Sequence, residues 1–247
     1  MAQPLTVAEV DQAMSDLPRV LVGVEQEYKW RVDPREFLGT AQPSPQALER
    51  VLPLPGGASV ASRFRHAMSS IYFDDDWYLA AHGLALKAQI NPGQFRNICW
   101  LAAKQTISWA GGCRDSLEIS ERIPPEDIHT ELTRRATLPL RHLDGQCRRP
   151  VSYEAYATTT QVRHKVHLHI ASGTLFQATF DVATTRLLGG SGATTTETWL
   201  EIESTSSELR PRAELDAWAR QLTQAIGREP DQESKPQYAA ALAGWAP

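Results

Sequence analysis

Val24-Glu25-Gln26-Glu27-Tyr28-Lys29-Trp30 alternates as a β-strand should. Successive strand side chains point to opposite faces. Val22, Val24, Tyr28 and Trp30 therefore share one face, with Gln26 among them, while Glu25, Glu27, Lys29 and Arg31 share the other. The pattern recurs in every later strand that can be read. In Leu84–Ile90, Lys87 and Gln89 oppose leucine, alanine and isoleucine; in the strand after Gly112, Arg114, Ser116, Glu118 and Ser120 oppose Leu117 and Ile119. Further on, Arg163, Lys165, His167 and His169 oppose Val162, Val166 and Leu168. Thr179 and Asp181 oppose Phe176, Ala178 and Phe180, and Trp199, Glu201 and Glu203 oppose Leu200 and Ile202.

A half-buried antiparallel sheet with its charges in solvent would account for any one of these strands. Two features argue for another arrangement. Cations gather on some strands (Lys87, Arg163, Lys165) and carboxylate pairs on others (Glu25 with Glu27, Glu201 with Glu203). The opposite faces carry large apolar residues that need helices to cover them. Strands of this kind can close into a barrel with a charged lumen. Carboxylates at i and i+2 lie about 7 Å apart along a strand, close enough to share a hard divalent cation. Oxygen ligands with water positions left over suit magnesium or manganese. Lysine and arginine supply donors for phosphate oxygens.

The remaining chain is consistent with one domain over residues 1–247. Its 247 residues are 42% hydrophobic and 22% charged, ample for a sizeable core. A net charge of −4 argues against a general nucleic-acid binder. Cys99, Cys113 and Cys147 are odd in number and lack CxxC spacing, which predicts reduced thiols and a cytoplasmic protein. Neither a signal peptide nor a membrane-length apolar run is visible. Periodicity predicts strands at about 19–32, 63–74, 84–90, 96–104, 112–123, 151–156, 161–170, 174–182 and 195–204. It predicts helices at 6–18 (Val7, Val10, Met14, Leu17), 47–52, 124–135, 211–226 and 236–242, with a turn at Asn91-Pro92-Gly93. Asp74-Asp75-Asp76 is expected to be a turn of solvated acids. His164, His167 and His169 are expected at the lumen or its rim, since nothing else completes a zinc set.

Glu25-Gln26-Glu27-Tyr28-Lys29 also resembles the ExExK signature of the CYTH superfamily, the triphosphate tunnel metalloenzymes. The likeness continues in order. Tyr72-Phe73-Asp74 resembles the family's YfDt segment, Leu86-Lys87-Ala88-Gln89 its LRxR strand, and Trp100-Leu101-Ala102-Ala103-Lys104 its WLTxK strand. Arg114 with Glu118, then Arg163, Asp181, Leu200-Glu201-Ile202-Glu203 and Ser234-Lys235 follow, so that about residues 19–238 carry motifs. Two departures stand out. Lysine and glutamine replace the LRxR guanidiniums, and Pro236 delays the late aromatic to Tyr238.

The resemblance implies a mainly β, α+β fold: an eight-stranded antiparallel tunnel barrel with flanking helices and a C-terminal helix. It implies Mg2+ or Mn2+ on Glu25, Glu27, Glu201 and Glu203, with Asp181 and Glu118 as further acids. Lys29, Lys87, Lys104, Arg114, Arg163, Lys165 and Lys235 would bind phosphates, and Glu25, Glu27 and Lys29 would carry catalysis. The implied activity is hydrolysis of inorganic triphosphate, thiamine triphosphate or a nucleoside triphosphate. Cyclisation of ATP, or phosphate binding without turnover, are the alternatives. The expected partner is a small phosphorylated substrate, with neither nucleic acid nor membrane, and nothing sets an oligomeric state. Lys235 would close one tunnel end from the C-terminal helix, anchored by Tyr238, Leu242 and Trp245.

Overall fold

The computed structural model describes residues 18–91, 98–170, 172–189, 192–206 and 212–246. The helix expected at Val7, Val10, Met14 and Leu17, and the turn residues Pro92 and Gly93, lie outside them. Eight strands close into a barrel: β1 (Val20–Arg31), β2 (Ser59–Asp74), β3 (Leu84–Ile90), β4 (Cys99–Ala110), β5 (Cys113–Ile123), β6 (Glu154–His169), β7 (Leu175–Leu187) and β8 (Thr194–Ser206). Their order around the ring is β1-β5-β4-β3-β2-β6-β7-β8, and every neighbouring pair is antiparallel. Tight turns make this possible. Gly111 and Gly112, at φ of 60° and 82°, join β4 to β5 as a two-residue hairpin loop, and positive φ at both positions matches the strand twist. A Cβ on Gly112 would also meet Pro230 at 2.9 Å.

The apolar strand faces point outward and are covered by helices on two sides. Trp30, Leu168, Phe180 and Leu200 pack with α2 (Pro45–Val51) and α6 (Ala213–Ile226), while α1 (Pro34–Leu38) closes the edge of that cluster. Trp218 of α6 stacks on Phe176 at 5.8 Å and donates to the Pro53 carbonyl at 2.6 Å. On the other side Leu86, Leu101 and Ala103 pack under α3 (Tyr78–Ala81), α4 (Ile128–Arg134) and α5 (Leu138–Gln146). A last helix, α7 (Lys235–Leu242), starts with a capping box. Ser234 and Gln237 bond each other's backbone N–H, with Pro236 in the first turn.

Several expectations are corrected. The strands expected at 151–156 and 161–170 are one strand, β6, which starts at Glu154 and runs through Thr158-Thr159-Thr160. This merger reduces nine expected strands to eight. The helix expected at 124–135 is a 3-10 turn, Pro125–Asp127, followed by α4. His164 shares the outward face with Val162 and Val166 and is buried there, not in the lumen. Leu242 is 40% exposed, so it does not anchor α7; Ala239 and Ala240 are buried in its place. Asp74 is not a solvated acid. It is buried and accepts from the backbone N–H groups of Asp75, Leu79 and Ala80 at 2.7, 2.8 and 3.0 Å, which fastens α3 to the end of β2. No helix among the described residues is long and apolar enough to cross a membrane.

Asp74→Ala leaves those N–H groups without partners, two of them in buried surroundings. It should lower unfolding free energy by roughly 2–3 kcal/mol, measured by urea titration. A change below about 0.5 kcal/mol, the usual range for a surface substitution, would show that the cap is dispensable.

Candidate active site in the barrel lumen

Strand alternation carries the charged faces of β1, β3, β4, β6 and β8 inward, with Arg114 and Glu118 of β5, while Arg63 of β2 and Asp115 of β5 point outward to Glu49 and Arg212. The lumen encloses a cavity of about 370 Å³. Of the site residues selected from the sequence, all line this cavity except Asp181, which is fully buried behind Arg163. Register explains how residues far apart in sequence meet. On β1, Glu27 stands opposite Arg114 of β5 and Glu203 of β8, and Lys29 stands opposite Glu201.

Three of the six expected metal ligands converge. One carboxylate oxygen from each of Glu25, Glu27 and Glu203 lies within 4.8 Å of the other two. Cations surround the group. Lys104 Nζ is 2.5 Å from Glu25 and 3.4 Å from Glu27, and Arg114 donates to Glu27 at 3.2 Å. Lys29 bridges Glu27 and Glu201 at 3.5 and 3.4 Å. The other expected ligands have different company. Arg163 grips both oxygens of Asp181 at 2.8 and 2.7 Å and reaches Glu201 at 3.0 Å. Lys235 pairs with Asp181 and, at 3.1 Å, with Glu201. Asp181 and Glu201 thus hold cations in place. Glu118 accepts from Ser120 at 3.2 Å and pairs with Lys87 at 3.7 Å.

Burial and charge pull these carboxyls in opposite directions. For Glu27, burial raises the pKa, but Lys104, Lys29 and Arg114 outweigh it and hold the group well below the usual range. Burial also works against ionised Glu201, yet Lys235 and Lys29 bring it down to about 2. Glu203 goes the other way: burial and the neighbouring Glu25 push it up to about 8. Glu25 is raised by burial as well, with Lys104 opposing. Buried Glu203 and half-buried Glu25, which resist ionisation, beside Glu27, which is ionised, form a set that a divalent cation would complete. Three hard oxygen donors of this kind fit such an ion.

α7 lies across one barrel end. Tyr238 donates to Glu197 at 2.6 Å and packs edge-on against Trp199 at 5.8 Å, while Tyr156 donates to the Pro236 carbonyl at 3.0 Å. Lys235 and Pro236 thereby enter the cavity wall. Sequence reasoning missed His66, Met68, Gln161 and Gln177, which also line it. Continuing the alternation backwards from Tyr72 on β2 and from Arg163 on β6 would have found the first three.

Glu203 yields a pH prediction. Its folded pKa lies above its ordinary value of 4.5, so the folded state binds the extra proton between those limits. Stability therefore falls through this group as pH rises towards about 8. In EDTA, Glu203→Gln should gain Tm over the unaltered protein, and the gain should grow with pH up to that value. Added divalent ion should raise the Tm of the unaltered protein more than that of the variant. A Tm difference independent of pH would mean that Glu203 stays ionised.

No protein-family model matches the sequence, and no curated protein matches it. Solved structures do. One is a Hippeastrum protein, HpAC1, described as a candidate adenylyl cyclase with a dominant triphosphatase activity. It is 16% identical, with a TM-score of 0.52 over 92% of this chain and 97% of its own. Another is the PH1819 protein of Pyrococcus horikoshii OT3, 16% identical, with a TM-score of 0.50 over 88% of this chain and 99% of its own. The fold of this chain is the fold of these proteins, an eight-stranded antiparallel barrel with flanking helices, as the resemblance to the CYTH superfamily implies.

Proposed function

We propose that the chain is a CYTH-type phosphohydrolase that cleaves the terminal phosphate from a triphosphate-bearing compound with a divalent cation, Mg2+ or Mn2+. The observation that carries this reading is the convergence of Glu25, Glu27 and Glu203 inside a closed lumen whose walls also present Lys29, Lys104, Arg114 and Arg163. Carboxylates alone would suit a cation, and lysines and arginines alone would suit an anion. Both together, in one cavity closed to bulk water on its sides, suit a metal-bound polyphosphate. The dominant triphosphatase activity described for HpAC1 supports hydrolysis over cyclisation.

The residues divide the work. Glu25, Glu27 and Glu203 would hold the ion, which when bound neutralises phosphate charge and acidifies a water. Lys104 and Arg114, now engaged with Glu25 and Glu27, would turn to the phosphate oxygens once the carboxylates are occupied. Arg163 and Lys235 are held by Asp181 and Glu201, so they meet the substrate already oriented, which lowers the ordering cost of binding. Lys87 and Lys165 extend the cationic wall. Glu118 lies beside Glu25, where its carboxylate would orient the attacking water. Attack in line on the terminal phosphorus breaks the phosphoanhydride bond, and the lysines and arginines stabilise the charge that builds on the leaving oxygen.

Phosphate release from inorganic triphosphate and nucleoside triphosphates, with magnesium or manganese, tests the proposal. Orthophosphate is the expected product; pyrophosphate with a cyclic nucleotide would indicate a lyase, and no release by folded protein would sink both. Glu27→Gln should lower turnover roughly 100-fold or more with the fold intact. Lys29→Ala should instead raise KM by roughly 10–100-fold through a lost charge-assisted contact. Unaltered kinetics in both variants would show that β1 plays no part.

Truncation after Gln232 removes Lys235 and the α7 closure. It should weaken triphosphate binding, read by calorimetry, with only a modest loss of Tm, because the residues of α7 that are buried, Ala239 and Ala240, are small. Equal affinity before and after truncation would show that α7 takes no part in binding.

A further inference from the structure

The lumen has two unlike walls. β1, β5 and β8 carry the carboxylates. Opposite in character is the stretch of β2 from His66 to Ser70, flanked by Gln161 of β6 and Gln89 of β3; it presents an imidazole, a thioether, a hydroxyl and two amides. Register makes this a continuous surface: Met68 pairs with Gln161 on one side of β2, and Ser70 with Gln89 on the other. Adjacent strands lie about 4.8 Å apart, so the two amides flank a face on the order of 10 Å wide. Burial, with Arg163 and Lys165 nearby, depresses the His66 pKa, which keeps its imidazole neutral.

Gln161 is the informative residue. It is 5% exposed, lines the cavity, and its amide nitrogen has no hydrogen-bond partner among the described residues. An unsatisfied buried donor costs about 1–3 kcal/mol. Gln161 borders the lumen, and its enclosed amide nitrogen would gain a partner if the terminal amide turned towards a guest there. An amide offers a donor and an acceptor together, whereas an ionised phosphate only accepts. Gln89 stands where the resemblance places a guanidinium, so a second position on this wall has an amide where a phosphate-binding cation would be expected. Met68 adds a flexible, polarisable side chain that packs well on flat rings.

We infer that this wall is a subsite for a planar heteroaromatic group carried by the triphosphate, with Gln161 bonding its polar edge and Met68 packing on its face. The inference rests on the reading of the lumen as a triphosphate site, but not on turnover.

The test is equilibrium binding of inorganic triphosphate, ATP, GTP, CTP and UTP to the full chain with magnesium, by calorimetry, with phosphate release measured in parallel. At least one nucleotide should bind about tenfold more tightly than inorganic triphosphate, the worth of one good hydrogen bond. Gln161→Leu should reduce that ratio about tenfold, and Gln89→Arg should shift it in the same direction. Gln161→Leu should also keep or raise Tm, since it removes an unpaired buried donor; a merely structural glutamine would lose Tm and leave the ratio unchanged, which overturns the subsite. Tighter binding of inorganic triphosphate than of all four nucleotides overturns it too. Selective nucleotide binding without phosphate release would leave the subsite standing and remove the hydrolase; release from inorganic triphosphate without nucleotide selectivity would do the reverse.

Discussion

Ionised carboxylates do not survive burial unless cations answer them, and the whole molecule is arranged around that constraint. Taking a charge out of water costs several kcal/mol even after relaxation. The barrel meets the cost by placing acids and bases on facing strands of one closed ring. Glu27 has three cations within 3.5 Å, and Asp181 is gripped from two sides. Where cations are fewer the balance is incomplete, and in the lumen it fails most at Glu203, raised by burial and Glu25, with Glu25 itself raised beside it. The point of greatest electrostatic stress is also the point where three carboxylates converge. A lumen built only for stability would have no reason to leave it there.

The outside of the barrel follows from the inside. A closed sheet with ionic side chains in its lumen must turn its apolar residues outward, and those residues need covering. Helices α2 and α6 bury Trp30, Phe180 and Leu200 on one side, and α3 and α5 bury Leu86 and Leu101 on the other. This inverts the usual sheet protein, in which the apolar face is the enclosed one. The inversion lets a core of ordinary hydrophobic packing hold a polar cavity rigid, the support a preorganised site needs.

This inversion was legible in the sequence, because alternation in β1, β3, β5, β7 and β8 pairs large apolar residues with charges at period two. The site's charged residues were legible for the same reason. What escaped did so for physical causes. The middle of β6, Thr158-Thr159-Thr160, shows no apolar contrast, so one strand looked like two. Helix α5 opens on Leu138-Pro139 and is short, and its identity comes from packing on β4 and β5, not from a strong periodic signal. Asp74 reads as solvated in the sequence because its two buried partners are the backbone N–H groups of Leu79 and Ala80, five and six residues on, presented only when α3 forms. Gln161 gives no signal in the sequence because a neutral amide in a charged alternation carries no obvious chemistry; that its amide nitrogen lacks a partner shows only in three dimensions.

Register is where fold and site become inseparable. β1 lies between β5 and β8, and its pairings put Glu25 opposite Ser116, Glu27 opposite both Arg114 and Glu203, and Lys29 opposite Glu201. A slip of one residue would turn Glu25, Glu27 and Lys29 outward among Leu200, Ile202 and Trp218, and would drive Tyr28 and Trp30 into the ionic lumen. Both faces would then be wrong at once: unpaired charge in an apolar shell, and aromatic rings among carboxylates. The energy that fixes the register is therefore shared between the hydrophobic exterior and the ion pairs within. Hydrophobic packing selects which face points out, and the ion pairs select which residues meet across the lumen. The alternation that makes Val24–Trp30 readable as a strand is thus also what specifies the geometry of the site, and neither could change in this segment without the other.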